Sequence, residues 1–74
     1  MSDVTNKVLA VSKPYLGPAA EQFLVRQCKL FLKIDSAALT AANLKELAGC
    51  FEVGGRAIMD PAKATELAKK IAAL

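Results

Sequence analysis

Apolar residues recur along this chain at three- and four-residue spacings, and no run alternates apolar with polar positions in the manner of a strand. Turn and breaker residues at Pro14, Gly17-Pro18, Asp35-Ser36, Gly54-Gly55 and Asp60-Pro61 divide the pattern into segments. The spacing predicts an all-α chain: a compact bundle of four helices over about residues 3–13, 18–34, 41–53 and 61–74, forming one domain across 1–74.

Each boundary has a physical reason. Ser2 can cap the first helix, whose Val4, Val8, Val11 and Tyr15 fall along one side. Pro14 disfavours the α conformation at Lys13, which predicts an end there. Pro18 suits the first position of the second helix, where its missing N–H is no loss. Thr40 caps the third helix and Gly54-Gly55 should stop it in the left-handed conformation. Leu39, just before that cap, is placed to staple against Leu44, while Ala41, Leu44, Leu47, Ala48 and Phe51 make the inner stripe. Asp60-Pro61 opens the fourth helix, with Ala64, Leu67, Ala68, Ile71 and Leu74 facing inward.

The second helix stands apart. Placed at 100° intervals, Ala19, Ala20, Phe23, Leu24, Val25, Cys28, Leu30, Phe31, Leu32 and Ile34 cover roughly two thirds of its circumference. A helix apolar nearly all round is a buried one, so it is expected to be the central element, gripped by the others. Its wet remainder is a narrow stripe. Arg26, Lys29 and Lys33 follow one another at i, i+3, i+7 on it, a candidate anion or partner-binding face. The plainer reading, that a buried helix presents its one polar stripe to solvent with cationic stems covering apolar neighbours, takes precedence.

Composition then narrows the function. Hydrophobic residues make up 54% of 74, an excess that a domain this small struggles to hide, since it buries only about 60% of its unfolded surface. The excess points to self-association. The flank of the second helix formed by Val25, Cys28 and Leu32, with Leu9 of the first, does not share a side with Phe23, Leu30 and Ile34, and is the candidate contact surface.

No histidine is present, so the commonest general base and neutral metal ligand are missing. Cys28 and Cys50 are too few and too far apart for a four-ligand zinc site or a C-x-x-C motif. Both are read as inert thiols, with Cys50 the more reactive. Gly54-Gly55-Arg56 matches neither a Walker loop nor a dinucleotide fingerprint. Asp35-Ser36 is read as a turn cap. The seven carboxylates form no pair at helical spacing on an apolar face. No enzyme activity, metal or cofactor is therefore expected. A formal charge of +3, interrupted by acids and without interleaved aromatics, makes nucleic acid a disfavoured partner, weakly bound if at all. No stretch approaches the roughly 20 apolar residues of a membrane span. The amino end lacks signal-peptide character, and two isolated cysteines fit a reducing cytoplasm.

The packing and turn residues Tyr15-Leu16-Gly17-Pro18-Ala19-Ala20, Phe23-Leu24, Arg26-Gln27-Cys28, Leu39-Thr40, Asn43-Leu44, Leu47-Ala48, Lys63-Ala64, Leu67-Ala68 and Ile71 are similar to those of short helical modules of bacterial proteins, found alone or appended to signalling proteins. That resemblance implies a regulatory or docking role and no catalytic position. A non-enzymatic protein-interaction module, pairing as a homodimer, is the expected function.

Overall fold

The computed structural model describes residues 2–74, and among these every regular element is helical, with no strand. Helix α1 spans Asp3–Leu16 and begins as expected, the Ser2 Oγ accepting the Thr5 N–H at 3.1 Å. It does not stop at Lys13. Pro14 lies inside its last turn and, lacking an N–H, cannot donate to the carbonyl of Ala10, an exposed residue that water can reach. The stop comes at Gly17, whose φ of 60° and ψ of −139° suit only glycine and whose N–H donates to the Lys13 carbonyl.

The segment expected as one long helix is a composite. A tight 3₁₀ turn, Gly17–Ala19, carries Pro18 and leads into α2, Ala20–Gln27. The chain then widens into a π turn over Cys28–Leu32. The N–H groups of both Lys33 and Ile34 donate to the Cys28 carbonyl, and Lys33 closes the segment in the left-handed conformation at φ 59°. That conformation costs a residue with a Cβ roughly 1–2 kcal/mol.

Nor is this segment wrapped by the rest of the chain. Ala20, Leu24, Gln27 and Cys28 form a single buried stripe, Phe23, Val25, Leu32 and Ile34 are half-buried, and Leu30 and Phe31 are 55% and 57% exposed. An apolar circumference therefore does not make it the central element. A small chain has too few residues to cover a helix on every side.

The core is instead anchored by α3, Leu44–Gly55, and α4, Pro61–Ala72, which form the most extensive pair of elements in the fold. Leu44, Leu47, Ala48 and Phe51 of α3 face Ala64, Leu67, Ala68 and Ile71 of α4, all buried, whereas Ala41, expected on the same inner stripe, lies in the turn before α3 and is exposed. Val8 of α1, Leu24, Cys28 and Leu39 complete one continuous cluster. Leu74, expected to face inward, is 40% exposed beyond the end of α4. Phe23 of α2 meets Phe51 edge to face, ring centres 4.8 Å apart.

Both caps around α3 and α4 have identifiable chemistry. A 3₁₀ turn, Ala41–Asn43, precedes α3, and the Thr40 N–H donates to the Asn43 Oδ1 at 3.0 Å. The Asp60 Oδ1 accepts the Ala62 N–H at 2.8 Å, with Pro61 in the first turn of α4. Gly54 and Gly55 behave differently from expectation, because neither is left-handed and α3 runs through both. Glycine is needed there for proximity. A Cβ on Gly55 would lie 3.2 Å from the Cβ of Ala64, and one on Gly54 would lie 3.0 Å from the Nε2 of Gln27.

Buried polar side chains tie the chain ends of the core together. The Thr5 hydroxyl donates to the Ser36 carbonyl, and the Ser2 hydroxyl to the Leu39 carbonyl at 3.0 Å, pinning α1 to the 3₁₀ turn Ser36–Ala38. That turn is capped by Asp35, whose Oδ1 accepts the Ala37 N–H at 2.9 Å, as the Asp35-Ser36 pair suggests. No helix among the described residues is long and apolar enough to cross a membrane.

Candidate functional site

Arg26, Lys29 and Lys33 are all exposed. Arg26 is in the last turn of α2 and Lys29 follows three residues on, so these two share the wet side of the segment. Their alignment with Lys33 assumes a regular helix, which the π turn and the left-handed Lys33 interrupt. The cationic stripe is thus two residues long in register, with the third beyond the break.

The four residues expected to form a contact surface are divided. Cys28 is fully buried in the core and cannot contribute to an exposed face. Leu9, Val25 and Leu32 are half-buried, and Leu9 and Leu32 pack partly against the core cluster. The exposed apolar side chains are instead Leu30 and Phe31, on the π turn, together with Val53, Ile58 and Leu74. One sequence signal could have found the first pair. Three successive large apolar residues, Leu30-Phe31-Leu32, bracketed by Lys29 and Lys33, cannot all face inward from a helix.

A groove of about 540 Å³ opens between α2 and the end of α3. Phe23 and Gln27 of α2 and Gly54 of α3 line it, with Ala57 and Ile58 of the following turn opposite and Arg26 among the walls. Gln27 is the unusual member. It is 5% exposed, and its Oε1, shut off from solvent, has no hydrogen-bond partner among the described residues. Because Gly54 has no side chain, the Gln27 amide can lie against the α3 backbone. Sequence reasoning did not single out Gln27, since nothing in periodicity marks a buried amide.

A second cluster joins α1 to α4. The Tyr15 hydroxyl donates to the Glu66 Oε2 at 2.8 Å, and the Lys70 ammonium stands 5.1 Å from the centre of the Tyr15 ring. The hydrogen bond from Tyr15 holds the Glu66 carboxyl below its usual range, helped by the nearby charges of Lys63 and Lys70. Contact with Tyr15 likewise raises the Lys70 ammonium above its ordinary value. A carboxyl depressed in the folded state stabilises it above the unfolded pKa, and that contribution is lost as pH falls through the folded value. In Tyr15→Phe the Glu66 carboxyl is therefore expected to titrate at higher pH, and the acid limb of the stability profile to flatten slightly. Carboxyl-carbon NMR titration reads the first effect directly. An unmoved Glu66 curve would show the contact is not maintained in solution.

Burial pushes both thiols upward. Cys28 is raised first by burial and then by Cys50 and Asp35, Cys50 by burial and then by Glu46, so both are held as thiols near neutral pH. Cys50 is the more accessible of the two. Among the described residues, no three His, Cys, Asp or Glu side chains gather as a metal site.

Comparison of the chain with protein-family models, with curated proteins and with solved structures finds no match.

Proposed function

We propose that this chain is a non-enzymatic four-helix interaction module that pairs with a second copy of itself through the surface around Leu30 and Phe31. The observation that carries the reading is that two adjacent large apolar side chains, each more than half exposed, project from the end of the α2 segment. Val25 and Leu32, half-buried beside them, retain the part of the expected surface that solvent still reaches.

Magnitudes set the strength. Full burial of a Leu or Phe side chain is worth about 1.5–3 kcal/mol, so covering the remaining half gives about 1 kcal/mol each. A symmetric contact uses each patch twice, about 4 kcal/mol gross, while association itself costs about 4 kcal/mol or more. Pairing is accordingly weak unless Val25 and Leu32 add to it. Lys29 and Lys33 flank the patch in both copies, so salt should strengthen the pair by screening their repulsion.

Sedimentation equilibrium over a wide concentration range is the test. Wild-type mass should rise with concentration and more so at high salt, and Phe31→Glu, an exposed change that leaves the core alone, should stay monomeric. A wild type that remains a monomer throughout overturns self-association.

The shared packing residues described above fit a docking module of bacterial type, and the unpaired thiols of Cys28 and Cys50 fit residence in a reducing cytoplasm. Weak nucleic-acid binding is the second reading, favoured by the exposure of Arg26, Lys29 and Lys33. It makes the opposite salt prediction, because counterion release weakens such binding as salt rises.

A further inference from the structure

We propose that the exposed end of the α2 segment docks on an anionic lipid surface, Leu30 and Phe31 entering the headgroup layer while Lys29 and Lys33 meet lipid phosphates. This goes beyond self-association and shares with it only the exposure of Leu30 and Phe31. Docked and paired states exclude one another, because each covers the same side chains.

Charge selects the occupant. Leu30 and Phe31, each more than half exposed, are bracketed in sequence by the exposed cations Lys29 and Lys33. Arg26, also exposed, lies one turn before Lys29 on the same side of the segment. Asp35 is the one acid between Leu24 and Ala38, and its Oδ1 is engaged with the Ala37 N–H. A second copy sets these cations against cations, whereas an anionic surface turns the same residues into attraction. Each Lys or Arg close to such a surface is worth about fivefold in affinity.

Shape points the same way. Leu30 and Phe31 do not line the groove beside Gln27; they project from the π turn. A projecting pair needs a matching hollow in a protein partner, while lipid chains yield around it and reward the apolar area covered. The lysine stems are long enough to lie along that apolar surface with their ammonium groups among the phosphates. The backbone limits the depth. The last carbonyls of a helical segment have no donors within it and must stay hydrated, so the turn that ends at Lys33 goes no deeper than the headgroup boundary.

Co-sedimentation of the full chain with vesicles, at low protein concentration where weak pairing is negligible, tests the docking. Vesicles of phosphatidylglycerol mixed with phosphatidylcholine should carry the chain down and pure phosphatidylcholine vesicles should not, and added salt should release it. The chain has no tryptophan, so Phe31→Trp supplies a single reporter, whose emission should move to shorter wavelength on the anionic vesicles. Phe31→Glu should weaken binding more than tenfold, by losing apolar contact and adding repulsion. Joint Lys29→Gln and Lys33→Gln changes should weaken it about 25-fold. Lys63→Gln, which removes a charge from the cleft beside Tyr15 and Met59, should have far less effect than Lys29→Gln.

No binding to the anionic vesicles, equal binding to neutral ones, an unshifted tryptophan, or binding that Phe31→Glu leaves intact overturns the docking. Equal losses from Lys63→Gln and Lys29→Gln overturn it too, since they would show diffuse attraction to a basic chain. All these positions are exposed, and an unchanged helical circular-dichroism signal verifies that each variant is folded. The lysine pair also separates docking from self-association. Its loss should weaken vesicle binding yet strengthen pairing in sedimentation equilibrium, so failure of one is distinguishable from failure of the other.

Discussion

Phe51→Ala is expected to cost about 3–5 kcal/mol, the usual price of emptying an aromatic core site. A chain of 74 residues has of the order of 4–11 kcal/mol in total, at about 0.05–0.15 kcal/mol per residue. The variant should therefore unfold at low denaturant or be partly unfolded without any. Phe51 is fully buried in α3 at the heart of the cluster it shares with Leu47, Leu67 and Ile71. It also receives the edge of Phe23, so its removal takes away a partner from α2 as well as filling volume between α3 and α4. The effect should appear as a lower urea midpoint. Phe51→Leu, which keeps most of the volume, should lose much less. Equal losses in the two variants would mean that the ring's volume and its contact with Phe23 do not hold this core together.

That core was readable in the sequence because α3 and α4 follow local rules. The Asp60-Pro61 start, the Thr40 cap and the stripes through Leu47, Phe51, Leu67 and Ile71 each need only neighbours within a turn or two. The α2 segment was misjudged because its pattern fits two outcomes. An apolar circumference describes a helix surrounded by protein or one that leaves Leu30 and Phe31 in water, and only the size of the rest of the fold decides. Glycine has the same ambiguity. Gly54-Gly55 reads as a helix stop, yet the pair serves close approach to Gln27 and Ala64 while the left-handed closure falls on Lys33.

The candidate site was legible in half. Arg26 and Lys29 announced a wet cationic side by spacing alone. Gln27 could not, because its burial depends on Gly54 and Phe23, distant in sequence from one another. Thr5 and Ser12 were hidden for a related reason. Thr5 is satisfied by Ser36, 31 residues away, and Ser12 by the Val8 carbonyl of its own helix at 2.7 Å, so neither disturbs the apolar pattern around it. Polar residues inside a core are predictable only once their partners are known.

Gln27→Met should make the protein more stable, by about 1–2 kcal/mol, although it removes a polar group that lines the groove. A buried acceptor without a partner costs about 1–3 kcal/mol in lost hydration, and the substitution abolishes that cost. Little opposes the gain. Methionine is unbranched, close to glutamine in length and similar in helix propensity, and its flexible thioether can settle against Gly54 and Phe23 where the amide now lies. For a domain of this size each kcal/mol raises the melting temperature by about 4–8 °C, so thermal and urea unfolding should both register the change. The urea m value should stay the same, since no new surface is exposed. Gln27→Met that is less stable than wild type would show that the amide is already satisfied in solution.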